Sequence, residues 1–128
     1  MIFGIGTDIV EIERVKKAVE REHFKNRVYT KIEQNYCESR GRNSAASYAA
    51  RFAAKEAFFK AIGTGIIFSL TEVEIINNEN GQPEIFLHDS TAQLAEEKGV
   101  KKIFVSLSHS LNYATAVVVL EKLTDSVT

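Results

Sequence analysis

Cysteine, proline and tryptophan are scarce in this chain of 128 residues, which has one cysteine, one proline and no tryptophan. The single cysteine, Cys37, cannot form a disulfide within the chain, and it has no second cysteine with which to bind a metal ion. Disulfide-based folds and cysteine metal knuckles are therefore excluded. A reducing compartment fits this composition, and we expect the protein in the cytoplasm.

A surplus of one charge is also missing, because 16 Lys and Arg residues balance 17 Asp and Glu residues. A chain of net charge −1 does not attract polyanions as a whole, so we expect no nucleic acid partner and any anion site must come from local clustering. The apolar N-terminus lacks a basic leader, and Asp8 and Glu11 interrupt it well before the ~20 apolar residues of a membrane helix. We expect no membrane partner and interpret this segment as a strand.

The composition, 45% hydrophobic and 26% charged, predicts one domain over residues 1–128. Apolar periodicity, caps and turn signals assign its elements. The predicted helices cover Glu11 to about Arg21, Thr30 to Gly41, Ser44 to Ile62, which Gly63 ends, and Ser90 to Glu97. The predicted strands are Ile2 to Val10, Val73 to Asn77, Glu84 to Leu87, a strand containing Ile103, Val105 and Leu107, and Tyr113 to Leu120. Asn80-Gly81 predicts that the second and third strands form an antiparallel hairpin.

The run from Ala116 to Leu120 has no polar face, which predicts a strand covered on both sides. Helices of a chain this short can cover one face only. The other face either meets a second subunit or is covered by a loop of the same chain. We expect the last residues, Thr124 to Thr128, to be frayed.

One acidic residue of the longest predicted helix lies among apolar residues. At 100° per residue, Glu56 shares a narrow arc with Phe52 and Phe59. Burying an unpaired carboxylate costs roughly several kcal/mol, so Glu56 needs a cation. This cation is Lys60 one turn on, an arginine elsewhere or a metal ion.

Asp8 gives a similar signal, because Ile9 and Val10 flank it at the end of an apolar strand. If this strand passes the long helix, Asp8 and Glu56 can share a hard divalent ion. Magnesium is commonly held by one or two carboxylates, with water and substrate phosphates as its other ligands. Alternatively, Asp8 caps the helix that begins near Glu11. The spacing leaves both interpretations open.

A phosphate site is indicated at the end of the long helix. Arg51, Lys55 and Lys60 flank Glu56, and the Gly-Thr-Gly segment that follows exposes backbone amides that can approach an anion. An ordinary helix end followed by a turn contains the same residues. Near the C-terminus, His109 stands between hydroxyl residues at the end of a strand, where it can donate to a phosphate or transfer a proton.

A basic stripe is predicted on the first helix, where Arg14, Lys17 and Arg21 fall at i, i+3 and i+7. Such a stripe is usually a solvated face. On a nearly neutral protein it can also dock an acidic helix.

Three segments together resemble the holo-acyl-carrier-protein synthase family: GIGTDIVEIERV at Gly4 to Val15, RFAAKEAFFKAIGTG at Arg51 to Gly65, and SLSHSLNYATAVVVLE at Ser106 to Glu121. The order and spacing of the segments fit as well. The resemblance implies an α+β fold with a mostly antiparallel sheet packed against helices. It also implies homotrimers with active sites at the subunit boundaries, which suits the apolar last strand.

The resemblance assigns roles to the residues already singled out. Asp8 and Glu56 are expected to bind Mg²⁺, and Lys60 joins them as a catalytic residue. The residues expected to hold coenzyme A are Arg51, Lys55, Lys60, Gly63, Thr64, Gly65 and His109. The first helix of the family receives the acidic helix of the acyl carrier protein, which implies that Arg14, Lys17 and Arg21 dock this partner.

The reaction implied is transfer of 4′-phosphopantetheine from coenzyme A to a carrier serine, for fatty acid biosynthesis. The serine attacks the β-phosphate and adenosine 3′,5′-bisphosphate leaves, while a carboxylate or a water takes the serine proton. A magnesium-dependent nucleotide pyrophosphatase would need the same carboxylates and lysines but would use water as the acceptor. A regulatory module that binds coenzyme A would show no turnover.

Overall fold

The computed structural model describes residues 1–123, and the expected fraying of Thr124 to Thr128 lies outside them. The elements of this range are β1 (Ile2–Glu11), α1 (Ile12–Val19), α2 (Glu22–Val28), α3 (Lys31–Glu38), α4 (Ser44–Ile62), β2 (Val73–Asn77), β3 (Pro83–Leu87), α5 (Asp89–Glu97), β4 (Val100–His109) and β5 (Tyr113–Lys122). Short 3₁₀ turns precede α4 at Gly41–Asn43 and β2 at Leu70–Glu72. No helix in the described range is long and apolar enough to cross a membrane.

The strands form two antiparallel sheets. One sheet has the order β1-β5-β4, and the other is the β2-β3 hairpin that Asn80-Gly81 predicts. Helix α4 packs on the three-stranded sheet, α1 and α3 pack on α4, and α5 packs on β4. The predicted α+β class, with antiparallel sheets packed against helices, is confirmed.

Two glycines set the distance between β1 and α4. A Cβ atom at Gly6 would lie 1.9 Å from the carbonyl oxygen of Ala57, and one at Gly4 would lie 1.9 Å from that of Ala61. Only glycine permits this contact, because a methyl group would overlap the helix backbone. Asp8 points to the same side of the strand as Gly6, since side chains alternate, and it is therefore brought to the surface of α4.

The two faces of the three-stranded sheet differ in cover. Ala116, Val118 and Leu120 of β5 are buried against α4. On the other face, Ile5 and Phe104 flank β5 with 60% and 51% of their surface exposed, and Val117 is 41% exposed. The described chain therefore covers one face of β5, and a second subunit on the other face stays a prediction.

The N-terminal helix is shorter than predicted. Helix α1 ends at Val19, where i→i−3 bonds from Glu20 and Arg21 tighten the last turn, and Arg21 is the extended residue that begins α2. Helix α2 was not predicted; its residue Phe24 turns toward the core and packs on Phe52 of α4. Other predicted signals are confirmed, including the capping box of Thr30 with Glu33 and the left-handed Gly63 at the end of α4.

Candidate active site

Asp8, Glu56 and Lys60 meet where β1 crosses α4. Glu56 and Lys60 are one helical turn apart, and the glycine contact brings Asp8 to them. The Nζ atom of Lys60 donates to Oδ1 of Asp8 at 2.9 Å and to the carbonyl oxygen of Thr7 at 3.0 Å. Asp8 does not cap α1, whose N-cap residue is Glu11, so the cap interpretation is excluded.

The charges in this cluster are incompletely compensated. Partial burial, followed by the neighbouring Asp8 carboxylate, raises the pKa of Glu56 to about 7, and Lys60 only partly opposes this shift. When Glu56 is ionised, the buried Oδ2 atom of Asp8 has no hydrogen-bond partner within residues 1–123, whereas a protonated Glu56 can donate to Asp8. Two close carboxylates, one with an unused buried oxygen, favour the binding of a further cation.

The donor set fits magnesium better than a metal held by protein ligands alone. In the described range, no group of three or more His, Cys, Asp or Glu side chains is arranged to hold an ion. Magnesium is suited to two carboxylates, because water and substrate phosphates complete its octahedron. Asp8 and Glu56 are therefore suitable ligands when a phosphate substrate supplies the remainder.

A cavity of about 520 Å³ opens beside Glu56. Arg14 of α1 lies at this cavity, and Val15, Phe24 and Phe52 form part of its apolar lining. The cavity joins the carboxylate cluster to the surface of α1, so a partner bound to α1 can reach Glu56.

The segment after α4 is an open turn in which Gly63 also ends the helix, so the anion site stays a prediction. Gly63 and Gly65 have positive φ angles of 91° and 69°, and nothing lies within 4 Å of the position of an added Cβ. The hydroxyl of Thr64 donates to the Gly65 carbonyl at 2.8 Å. Gly63 follows Lys60 by three residues, so this exposed turn lies next to the carboxylate cluster.

Arg51 and His109 belong to a different cavity, of about 250 Å³. Arg51 lies about 140° around α4 from Glu56, so the two side chains leave the helix on different sides. Its guanidinium group stacks on the ring of Tyr36, 4.3 Å from the centroid, and donates to the Asn77 side chain. The cavities at Glu56 and at Arg51 have no lining residue in common.

Lys55 requires a correction, because it was expected to hold coenzyme A. It is fully buried, and its Nζ atom donates to Oε1 of Glu33 at 2.8 Å and to the carbonyl oxygens of Leu70 at 2.9 Å and Val73 at 2.6 Å. A lysine ammonium group has three N–H donors, and all three are used inside the protein. We therefore leave Lys55 out of the groups that contact a substrate.

The basic stripe is divided between two elements. Arg14 and Lys17 lie on α1, and Arg21 lies at the junction with α2. All three are exposed, and within residues 1–123 none of them forms an ion pair. They remain available to a partner, although not as one straight helical row.

Three residues that line these cavities or hold their side chains in place were not predicted from the sequence. Tyr36 and Asn77 hold the guanidinium group of Arg51, and Phe24 packs against Phe52 beside Glu56. The one available sequence signal of these roles was Asn77 at the end of β2, but an asparagine at that position is equally typical of a turn. The role of Tyr36 depends on contact between α3 and α4, which no local pattern reports.

The chain matches known proteins over most of its length. A family model described as the 4′-phosphopantetheinyl transferase superfamily matches residues 4–118. A holo-[acyl-carrier-protein] synthase of Fusobacterium nucleatum is 45% identical, with 94% of this chain and 99% of that protein covered. The crystal structure of a holo-[acyl-carrier-protein] synthase of Neisseria meningitidis is 36% identical at a TM-score of 0.87, with 95% and 100% of the chains covered. A Bacillus anthracis synthase, solved in complex with CoA (3′,5′-ADP), is 36% identical at a TM-score of 0.80, with 96% and 99% covered.

Proposed function

The chain belongs to the 4′-phosphopantetheinyl transferase superfamily, as an enzyme of the holo-[acyl-carrier-protein] synthase type, and we propose that Asp8, Glu56 and Lys60 form its catalytic centre. Enzymes of this type move phosphopantetheine from coenzyme A to an acyl carrier protein. The observation that carries the proposal is the buried Asp8 oxygen without a partner, next to Glu56 and Lys60. We also propose that the transfer depends on magnesium and serves fatty acid biosynthesis in the cytoplasm.

The proposed reaction is an in-line displacement at phosphorus. The carrier serine oxygen forms a bond to the β-phosphorus of coenzyme A while its proton passes to a carboxylate or a water, the bridging P–O bond of the pyrophosphate breaks, and adenosine 3′,5′-bisphosphate leaves. Magnesium, when bound to Asp8 and Glu56, supplies positive charge to the pyrophosphate and the leaving group. Lys60 contributes a fixed positive charge, because its two bonds to Asp8 and the Thr7 carbonyl hold its ammonium group at the centre.

We propose that the turn at Gly63–Gly65 binds phosphate oxygens of coenzyme A. Its backbone can approach an anion closely because neither glycine carries a side chain, and nothing lies within 4 Å of where a Cβ atom of either residue would be. We propose that Arg51 and His109 hold another part of coenzyme A, in the second cavity. Arg51 is only 2% exposed and its guanidinium group is fixed by Tyr36 and Asn77, so little conformational entropy is lost on binding.

Two separate cavities on one chain support a site completed by a second subunit. We propose a homotrimer that contacts through the exposed face with Ile5, Phe104 and Val117, so that the Arg51 cavity of one subunit adjoins the Glu56 cluster of another. Light scattering should give three chains per particle. Inactive Glu56→Gln and Arg51→Met proteins should regain activity when they are co-expressed and form mixed trimers. Monomers in solution, or no recovery in mixed trimers of confirmed composition, would contradict the shared site.

We propose that the carrier protein docks on Arg14, Lys17 and Arg21. These exposed cations suit an acidic helix, and the cavity at Arg14 extends to Glu56. A serine at the start of such a helix would then approach the proposed metal site.

Intact mass spectrometry of an apo-carrier protein tests the function. After incubation with this enzyme, coenzyme A and magnesium, each carrier should gain one phosphopantetheine, and chelation of the metal should stop the gain. Adenosine bisphosphate released without modification of the carrier would indicate a hydrolase. Tight binding of coenzyme A without any turnover would indicate a regulatory module.

A further inference from the structure

Lys55 differs from the other cations of α4 because it contacts two backbone carbonyls of the chain that follows this helix. Two of its three bonds go to the carbonyl of Leu70, in the turn before β2, and to the carbonyl of Val73, the first residue of β2. The third goes to Glu33 of α3, which compensates its charge in a fully buried position. Lys55 therefore fastens the chain that returns from the Gly63–Gly65 turn.

The returning segment, from Gly63 at the end of α4 to Val73 at the start of β2, is held in position mainly at its two ends. Gly63 closes α4 by donating to the Phe59 carbonyl at 3.1 Å. From Thr64 to Phe68, no backbone-to-backbone hydrogen bond is formed within the described part of the chain. A segment with so few hydrogen bonds has low local stability and opens easily unless its ends are fixed.

Lys55 fixes the Leu70–Val73 end of this segment at a defined distance from its Gly63 end. It precedes Gly63 by eight residues, which is about 12 Å along a helix that rises 1.5 Å per residue. The chain must therefore run back along α4 from Gly63 until it reaches the level of Lys55. On this path Ile66 and Phe68 line a cavity with Phe52, so the segment lies against the helix that carries Glu56.

We propose that Lys55 is a positioning residue for coenzyme A, which holds the Gly63–Gly65 turn in its phosphate-binding conformation through the Leu70 and Val73 carbonyls. The inference rests on the proposed function, because that function supplies the ligand of the turn. Lys55 itself touches no substrate. Its loss should weaken the affinity for coenzyme A and leave the affinity for the carrier protein unchanged, since α1 is not fastened by this residue.

Three variants separate this role from a general loss of stability. Lys55→Met removes the bonds to the carbonyls and strands the Glu33 charge, so it should be the least stable. Lys55→Met with Glu33→Gln removes the same bonds without a stranded carboxylate, and it should recover part of the melting temperature. Glu33→Gln alone leaves Lys55 in place, and even a neutral lysine amine keeps two N–H donors for the two carbonyls.

Calorimetric binding of coenzyme A in the presence of magnesium is the test. Both Lys55→Met proteins should show a Kd raised by about tenfold or more, whereas the Kd of Glu33→Gln stays within about threefold of the parent. Hydrogen exchange should be faster in residues 63–72 of both Lys55→Met proteins, and unchanged in β1. If Lys55→Met does not fold, Lys55→Gln, whose amide can donate to one carbonyl, should show a smaller change in the same direction.

A Kd that follows the melting temperature across the series, and not the presence of Lys55, would overturn the proposal. So would a parent-like Kd in the double variant. Because affinity is measured directly, a parent that binds coenzyme A but modifies no carrier would refute the proposed function alone.

Discussion

Two lysine–carboxylate contacts on the same helix have opposite character. Lys55 and Glu33 are both fully buried. The Nζ atom of Lys55 and both carboxylate oxygens of Glu33 form hydrogen bonds within the protein. Lys60 and Asp8 are partly exposed, and an oxygen of Asp8 has no partner in the described range although Glu56 stands beside it. Residues 55 and 56 are neighbours in sequence, but about 100° of rotation separates their side chains.

The comparison shows how completeness of bonding distinguishes a structural ion pair from a ligand site. A satisfied pair has nothing left to offer a ligand, and removing one partner strands a buried charge. An unsatisfied cluster already has unfavourable like-charge proximity, which a cation can relieve. The same substitution should therefore have opposite consequences at the two sites.

Replacing Glu56 or Glu33 with glutamine should give the largest difference between the two sites in transfer activity and stability. Glu56→Gln should lower kcat/KM on the order of 10³-fold, because charge on the pyrophosphate is then poorly compensated. Without metal it should be no less stable than the parent, since a like charge has been removed. Transfer assays and thermal melts measure both effects.

Glu33→Gln is the matched control for this experiment. It should retain transfer but lose on the order of 3–5 kcal/mol of stability, or roughly 10–20 °C in Tm, because the positive charge of Lys55 is stranded. If Glu56→Gln is destabilised and still active, the metal-ligand assignment is wrong.

Gly6→Ala should separate the two sites by damaging only the exposed cluster. The new methyl group would overlap the Ala57 carbonyl, so β1 must move away from α4 and take Asp8 with it. We expect a loss of about 1–3 kcal/mol in stability together with a loss of transfer activity. Gly99→Ala is the control, because it also adds one methyl group to a glycine but meets no atom within 4 Å; the left-handed φ of Gly99 makes a loss of stability expected there, while transfer activity should be retained. Normal activity in Gly6→Ala would show that the close approach is not needed for the site.

Charge reversal on the basic stripe should have a smaller and more selective effect. Arg14→Glu with Arg21→Glu should raise KM for the carrier about tenfold and leave the Kd of coenzyme A nearly unchanged. The parent reaction should also weaken with salt, because exposed charges are screened over a Debye length of ~10 Å at 0.1 M. Steady-state kinetics at two salt concentrations, with Lys101→Glu as a control on β4, provide the measurement. Unchanged carrier kinetics in the double reversal would leave the stripe as a solvated face.

The pH dependence of stability should show the smallest difference. The pKa of Glu56 is raised to about 7 in the folded protein, so between its ordinary value and pH 7 the folded state binds more protons than the unfolded state. The free energy of unfolding should therefore fall as pH rises through this window in metal-free protein, and level off above it. Glu56→Gln should lack this component, so its Tm advantage should grow from pH 5 to pH 8. A constant difference between the two proteins across these melts would contradict the pKa shift.

Sequence patterns predicted most elements because their signals are local. The Thr30–Glu33 capping box, the Gly63 helix end and the Asn80-Gly81 turn each depend on a few adjacent residues, and all three are confirmed. Helix α2 was missed because its seven residues give too few apolar positions for a periodic pattern.

The site could be predicted only in part, for a physical reason. The apolar setting of Asp8 and Glu56 signalled an unusual pair of carboxylates, but their meeting depends on the Gly6 contact between distant segments. Lys55 was grouped with Lys60 because both flank Glu56 in sequence. Which lysine faces the interior depends on where Glu33 and β2 pack, and this is a property of the tertiary structure.

Binding of Mn²⁺, a paramagnetic substitute for magnesium, tests the central claim most directly. Electron paramagnetic resonance titration in the presence of coenzyme A should give one bound ion per chain for the parent and for Glu33→Gln, and at least tenfold weaker binding for Glu56→Gln, as about 1.4 kcal/mol of lost ligand energy requires. Equal Mn²⁺ affinity in the parent and Glu56→Gln would contradict the claim that Asp8 of β1 and Glu56 of α4 form the metal site.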